Sequence, residues 1–201
     1  MNIPANIHPV FDRLLQRSDK EALLGQRGCA VWMTGLSGSG KSTIAIALER
    51  QLHGAGRYAV VLDGDNIRTG INNNLGFSET DRTENIRRIA EVAKLFVQNG
   101  AVVVCTFVSP TIAIREQARA IIGADDFIEV FVDTPLEECE RRDVKGLYAK
   151  ARAGQVKDFT GISAPFEAPP APTLRIATMG RTAEQNAGEL YQYLTTRLVQ
   201  Q

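Results

Sequence analysis

The sequence predicts an α/β fold, a parallel sheet of about five strands with helices on both faces and a basic lid. Three observations carry this. Short apolar runs alternate with helix-periodic segments along most of the chain. The first run leads into Gly35-Leu36-Ser37-Gly38-Ser39-Gly40-Lys41-Ser42, and an apolar-periodic helix follows; this pairing of phosphate loop and context specifies the P-loop NTPase fold. The second run stops at Asp63-Gly64-Asp65, a polar edge where open sheets place their ligands.

The elements follow in order. Residues 1–28 are polar and mixed, an N-terminal extension in which Phe11, Leu14 and Leu15 suggest a short amphipathic helix on the outside of the domain. Cys29 to Thr34 reads as a buried strand, and the helix from Lys41 carries Ile44, Ile46, Ala47 and Leu48. Tyr58 to Leu62 is the second strand, and residues 64–81 are Asn- and Gly-rich and expected to be irregular. Thr83 to Gln98 is helical, with Ile86, Ile89, Ala90, Ala93, Leu95 and Phe96 on overlapping faces. Ala101 to Phe107 is a strand closed by Pro110, Ile112 to Ile122 a helix, and Phe127 to Val132 the fourth strand. Asp133-Thr134-Pro135 opens the next helix, with Thr134 as N-cap and Pro135 at its first position. Leu174 to Ala177 is the fifth strand, and Ala183 to Leu198 the last helix. Residues 142–171 break the rhythm with Lys145, Lys150, Arg152, Lys157, several Gly and a Pro-rich end; so long a weakly ordered stretch suits a lid and substrate-binding loop.

Composition bounds the function. The 201 residues suffice for one domain with a real core, so the whole chain, 1–201, is read as one. Lys plus Arg equals Asp plus Glu at 23 each, which gives no hint of a nucleic-acid or anionic-membrane partner. The three cysteines have no metal-site or disulfide spacing, and Cys29 and Cys105 lie in apolar runs. With no leader-like start and no long apolar stretch, a cytoplasmic location is expected.

The loop sets the chemistry. Its glycines let backbone N–H groups turn toward phosphates, and the helix start adds partial positive charge. Gly35 through Thr43 are therefore the expected ATP contacts, with Lys41 reaching the β and γ phosphates and the Ser42 hydroxyl on Mg²⁺. Asp63 and Asp65 suit the ordering of Mg²⁺, acceptance of a proton from an acceptor hydroxyl, or the capping of a loop by hydrogen bonds to its backbone. Arg68, Arg82, Arg87 and Arg88 flank the Asn-rich loop, and guanidinium groups suit a phosphate or sulfate. Phe77 and Phe166 sit in polar loops, each as a core anchor or as a face for a base. The Asn-Lys-x-Asp pattern of guanine-specific hydrolases is absent. A phosphate loop, an acceptor loop after the second strand and a basic lid, in that order, describe a small-molecule kinase, where a lid excludes water as a rival acceptor.

From about Gly28 to Ala177 the chain resembles the adenylylsulfate kinase family. The resemblance rests on Trp32 through Thr43, Leu62-Asp63-Gly64-Asp65-Asn66-Ile67-Arg68, Leu75-Gly76-Phe77-Ser78 and Arg82-Thr83-Glu84-Asn85-Ile86-Arg87-Arg88. It continues through Phe107-Val108-Ser109-Pro110, Val130 through Glu137, Arg141 through Tyr148, Lys157 through Ile162 and Ala164-Pro165-Phe166-Glu167. The family makes 3′-phosphoadenylyl sulfate from adenylyl sulfate and ATP. The resemblance implies Asp63 as the base near the acceptor 3′-hydroxyl, with Asp65 arranging the same turn. It implies Arg68, Arg82 and Asn85 as contacts to adenylyl sulfate, Phe77 and Phe166 as the sandwich for its adenine, and Lys145 and Leu147 as the mobile lid. Ser109 matches a serine that the family describes as a phosphoserine intermediate, a step that direct in-line transfer does not need. The resemblance further implies a homodimer and a separate ATP sulfurylase as partner. The chain departs from the family at Thr111-Ile112-Ala113-Ile114-Arg115, where an aromatic residue and an Arg commonly follow Ser-Pro, and in the Ala- and Pro-rich segment 168–173.

Overall fold

The computed structural model describes residues 6–199. Residues 1–5, on which the expectation of no leader partly rests, and residues 200–201 lie outside them. After a single 3₁₀ turn at Phe11–Arg13, the order is α1 (Arg17–Leu24), β1 (Cys29–Thr34), α2 (Lys41–Gly54), β2 (Ala59–Asp63), α3 (Gly64–Thr69) and α4 (Glu79–Val97). Then come β3 (Val102–Thr106), α5 (Ile112–Ile122), β4 (Phe127–Asp133), α6 (Leu136–Arg142), α7 (Leu147–Arg152), β5 (Leu174–Ala177) and α8 (Ala183–Leu198).

The five strands run parallel in the order β2-β3-β1-β4-β5. β1 is central, Val31 pairing with Val104 on one side and Ile128 on the other. Its residues alternate between the two faces, as the pleat requires. Val31 and Met33 pack toward α2 and α8, where Leu190, Leu194 and Leu198 repeat at helical spacing. Ala30 and Trp32 pack toward α4 and α5, against Ile86, Ile89, Ala93 and Ile114. A strand buried on both faces reads as a continuous apolar run, which is why β1 and β3 are plain in the sequence.

Several boundaries differ from expectation. The segment 64–81 is not wholly irregular. Asp63 caps α3 by accepting the Asp65 N–H, and Ser78 caps α4 by accepting the Asp81 N–H, so α4 starts four residues before Thr83. Residues 142–171 contain α7. Thr134 does not cap α6: Pro135 holds the N-cap position, and the Thr134 hydroxyl is spent on the Ser39 carbonyl at 2.9 Å. Phe11, Leu14 and Leu15 form no apolar face against the domain; Phe11 is 73% exposed and the helix begins only at Arg17.

The N-terminal extension is held by polar groups instead. Arg17 pairs with Asp126 at 2.5 Å and donates to the Gly28 carbonyl. Buried Gln26 donates to the Tyr58 and Gly100 carbonyls and accepts the Tyr58 N–H, which closes the start of β2 onto the sheet.

Candidate active site

β1 delivers the phosphate loop to the carboxyl edge of the sheet. A Cβ on Gly35 would lie 2.6 Å from the Val132 carbonyl, so only glycine lets the chain leave β1 beside β4. Gly38 turns at φ 74 with Cys139 directly behind it. The 14-residue α2 then starts at Lys41 and aims its free N–H groups into the loop. Lys41 is buried. Its ammonium donates to the carbonyls of Gly35 at 2.8 Å and Leu36 at 2.7 Å. Burial draws its pKa down to about 8, despite the carboxylates of Asp63 and Asp65 nearby.

Ser42 and Asp63 meet across the site. The Ser42 hydroxyl donates to Asp63 Oδ2 at 2.6 Å, the Thr106 hydroxyl donates to the same oxygen at 2.7 Å, and the Asp65 N–H donates to Oδ1 at 3.0 Å. Partial burial pushes the Asp63 carboxyl up, but these donors outweigh it and hold the carboxyl below its ordinary value. An ionised carboxylate beside a hydroxyl is a fitting oxygen set for Mg²⁺, which takes one or two protein ligands and fills the rest with phosphate oxygens and water. Among the described residues no group of three or more His, Cys, Asp or Glu is placed to hold a metal ion.

The segment after β2 is built on α3 and the start of α4. Arg68 lies over the Phe77 ring at 4.3 Å and donates to the Leu75 and Gly76 carbonyls. Phe77 is 63% exposed, an unusual position for a ring held so firmly on one face by a cation. Arg82 donates to Phe77 O, Thr160 Oγ1 and Asp158 O, so it clamps this segment to residues 158–160. Asn85 is buried and accepts from Asn72, which places its oxygen in the support of the loop. Arg87 and Arg88 both pair with Glu84, and Arg88 also holds Asn74; neither is directed at the phosphate loop by these contacts.

Ser109 is 2% exposed, at φ 36. Its hydroxyl accepts the Trp32 indole N–H at 3.2 Å, and its carbonyl accepts from Thr34 and Arg115. The strained backbone costs about 1–3 kcal/mol. The turn is held by the hydrogen bonds that Trp32, Thr34 and Arg115 donate to Ser109. A hydroxyl so placed supports the loop from behind. Phe166 stacks on Phe131 with ring centres 5.9 Å apart.

The segment 142–171 touches both the phosphate loop and the turn after β2. Lys145 pairs with Asp65, and Tyr148 donates its hydroxyl to the Ser37 carbonyl at 2.9 Å. Leu147 opens α7 half-buried, while the Asp143 carboxylate accepts the N–H groups of Tyr148 and Ala149 and so fixes the turn between α6 and α7. Arg142 pairs with Glu138 and reaches the Gly38 and Ser39 carbonyls.

The structure thus brings Ser42, Asp63, Asp65 and Lys145 into one chain of contacts, with the Lys41 ammonium near enough to feel the charges of Asp63, Asp65 and Lys145, and brings Arg68, Phe77 and Arg82 into a second that also reaches the segment 142–171. Sequence reasoning missed Thr106, Thr134, Arg142 and Tyr148. Thr106 carried a usable signal, a polar residue ending an apolar strand beside Asp63. The other three are recognisable only from their partners in space.

Comparisons with known proteins show the family. A family model described as "Adenylylsulphate kinase" matches residues 27–177. The adenylyl-sulfate kinase of Bacteroides fragilis is 63% identical over 193 residues, which cover 96% of each chain. The Mycobacterium tuberculosis APS kinase CysC, solved in complex with AMPPNP and APS, superposes with a TM-score of 0.81 at 51% identity, over 84% of this chain and 98% of that one. The bifunctional enzyme NodQ of Rhizobium tropici is 51% identical over 184 residues, 92% of this chain but 29% of its own length.

Proposed function

The chain belongs to the adenylylsulphate kinase family, and from that premise we propose how its residues perform the reaction. The protein transfers the γ-phosphoryl group of ATP to the 3′-hydroxyl of adenylyl sulfate, giving 3′-phosphoadenylyl sulfate and ADP. The observation that carries the mechanism is the Ser42–Asp63 bond, which ties the ATP side to the acceptor side through one carboxylate.

ATP phosphates enter the loop from Gly35 to Thr43. Lys41 leaves the Gly35 and Leu36 carbonyls and turns to the β and γ phosphates, a move that recovers the cost of burying its charge. Ser42 and Asp63 are the residues that would hold Mg²⁺, which would supply charge neutralisation for the transferring phosphoryl group. Adenylyl sulfate stacks its adenine on the open face of Phe77, with Phe166 as the opposing wall. Arg68, Arg82 and Lys145 lie along the anionic bridge, with Asn85 beneath. Asp63 orients the 3′-hydroxyl. Its low pKa makes it a weak base, and a loose phosphoryl transition state asks little of one, because the acceptor proton leaves late. Most of the acceleration then comes from positioning and from fixed charge. Ser109 acts by holding its loop, so transfer is direct and in line. The lid over Lys145 and Leu147 excludes water.

A homodimer, a cytoplasmic site of action and a separate ATP sulfurylase that supplies the acceptor complete this reading. The bifunctional relative supports the pairing of this domain with a second activity. Among the described residues no helix is long and apolar enough to cross a membrane. The test supplies γ-labelled ATP with adenylyl sulfate and, in parallel, with sugars and nucleosides. Labelled 3′-phosphoadenylyl sulfate is the expected product; folded protein that binds ATP yet labels only another acceptor would sink the reading.

A further inference from the structure

Arg115 stands where the chain departs from the family pattern, and its side chain is among the most buried in the molecule at 2% exposure. Its guanidinium is shared among three elements. Nε pairs with Glu129 of β4 at 2.9 Å, Nη1 donates to the Ser109 carbonyl at 2.9 Å, and Nη2 donates to the Glu167 carbonyl at 2.8 Å. Glu167 is bound twice more to the same region. Its N–H donates to the Pro110 carbonyl at 2.8 Å, and its carboxylate accepts the Ile112 N–H at 2.6 Å. Three hydrogen bonds therefore fix the residue next to Phe166, and a fourth fixes the Ser109 turn from the same guanidinium.

We propose that Arg115 is a positioning residue for the acceptor: by spanning the Ser109 and Glu167 carbonyls from a fixed anchor on Glu129, it sets where the Phe166 ring stands. The inference rests on reading Phe166 as a wall of the adenylyl sulfate site. Pro165 restricts the backbone on one side of the ring, and Phe131 receives one face of it, so the anchoring of Glu167 is what fixes the remaining side. Only a planar fork of donors serves three acceptors in different directions; an ammonium on a flexible stem does not. Arg115 touches neither the phosphate loop nor the Lys41 ammonium by any of these bonds, so its effect falls on the acceptor and not on ATP.

The test is steady-state kinetics of the whole chain with Mg-ATP and adenylyl sulfate for three variants. Arg115→Lys keeps a charge beside Glu129 but loses the fork. Arg115→Met with Glu129→Gln removes both charges together, so no lone charge is left buried. Phe166→Ala removes the ring. Arg115→Lys and the paired variant are each expected to raise the KM for adenylyl sulfate about tenfold while the KM for ATP stays within about twofold. In a Phe166→Ala background, Arg115→Lys is expected to add less than about twofold, since the ring it positions is gone. If Phe166→Ala raises the acceptor KM and Arg115→Lys does not, the proposal is overturned while the Phe166 reading stands. If Phe166→Ala has no effect, that reading fails first and this proposal with it. Equal rises in both KM values for Arg115→Lys would mean a general loss of structure and would also overturn it. Should the paired variant not fold, Arg115→Lys alone decides.

Discussion

Ser42 donates its hydroxyl to Asp63 at 2.6 Å, and this bond joins the first turn of α2 to the last residue of β2. The two residues stand 21 positions apart in the chain, one in the helix that follows β1 and the other at the end of β2, and those strands are not neighbours, since β3 lies between them. β3 completes the arrangement by offering Thr106 to the same carboxylate oxygen. The site is therefore a property of the strand order, and the carboxylate it creates is both solvated by fixed donors and kept ionised.

Asp63→Asn keeps the shape and removes the charge. The expected result is a fall in kcat of about 10²–10⁴ with a smaller change in the acceptor KM, read by initial rates across a Mg²⁺ titration. The pH dependence has a definite sign. Asp63 titrates below its usual 3.8 in the folded state, so its stabilising effect is present above 3.8 and is lost as pH falls through the folded value. Acid unfolding of the Asn variant is expected to be less steep in that window, and no acid limb from Asp63 is expected in the rate between about pH 5 and 7. An activity that rises through pH 5–7 in the wild type and not in the variant would contradict this.

Lys41 gives the opposite sign. Its pKa is drawn down to about 8 by burial, so above that pH the substrate-free protein holds a neutral amine. ATP phosphates favour the charged form, and binding near pH 8 is expected to take up a proton. Calorimetry of ATP binding in buffers of different ionisation heat reads that proton, and kcat/KM for ATP is expected to fall as pH rises through about 8. Lys41→Ala is expected to lower the rate by at least about 10². A folded Lys41→Ala protein with unchanged turnover would remove the mechanism altogether.

Phe77 offers a test of the acceptor wall. One face of its ring is covered by Arg68 and the ring is otherwise exposed, so it contributes little to the core. Stacking of a base on an aromatic ring is worth about 1–3 kcal/mol, which converts to about 5- to 150-fold in affinity. Phe77→Ala is expected to weaken adenylyl sulfate binding by that range and to leave the melting temperature nearly unchanged. Equilibrium binding of adenylyl sulfate by calorimetry, beside a thermal melt, checks both halves. A large loss of stability with unaltered affinity would instead make Phe77 a core anchor.

Much of this was legible in the sequence, and the limits have physical causes. The strands and the longer helices announce themselves because each buries a face with its own period, as α8 does from Ala183 to Leu198. The phosphate loop is legible because backbone curvature demands glycine at fixed places. α3 was hidden because six residues cannot show a period, and a capping role for Asp63, though open, did not say that a helix followed. Thr134 was misplaced for the converse reason: it has the chemistry of a cap but spends it on Ser39. The roles of Asn85 and Ser109 depend on burial, which depends on the packing of Asn72 and Trp32 far away in the chain. Residue type told what each side chain was able to do; only the fold told what it was given to do.

The lid contact makes the last prediction, and it separates stability from function. Lys145 reaches Asp65 across 80 positions, and both side chains are exposed. Exposed pairs are screened by water and ions and contribute little, so Lys145→Ala is expected to shift the melting temperature by less than about 2 °C. In the proposed mechanism the same substitution removes the cation that the lid would carry over the acceptor. A fall in kcat of at least about tenfold is expected, together with an increased share of ATP hydrolysed to free phosphate, because a lid without its latch admits water. Phosphate release measured with and without adenylyl sulfate gives the partition directly. A Lys145→Ala enzyme with wild-type kcat and no added hydrolysis would show that the pair to Asp65 has no part in closing the site.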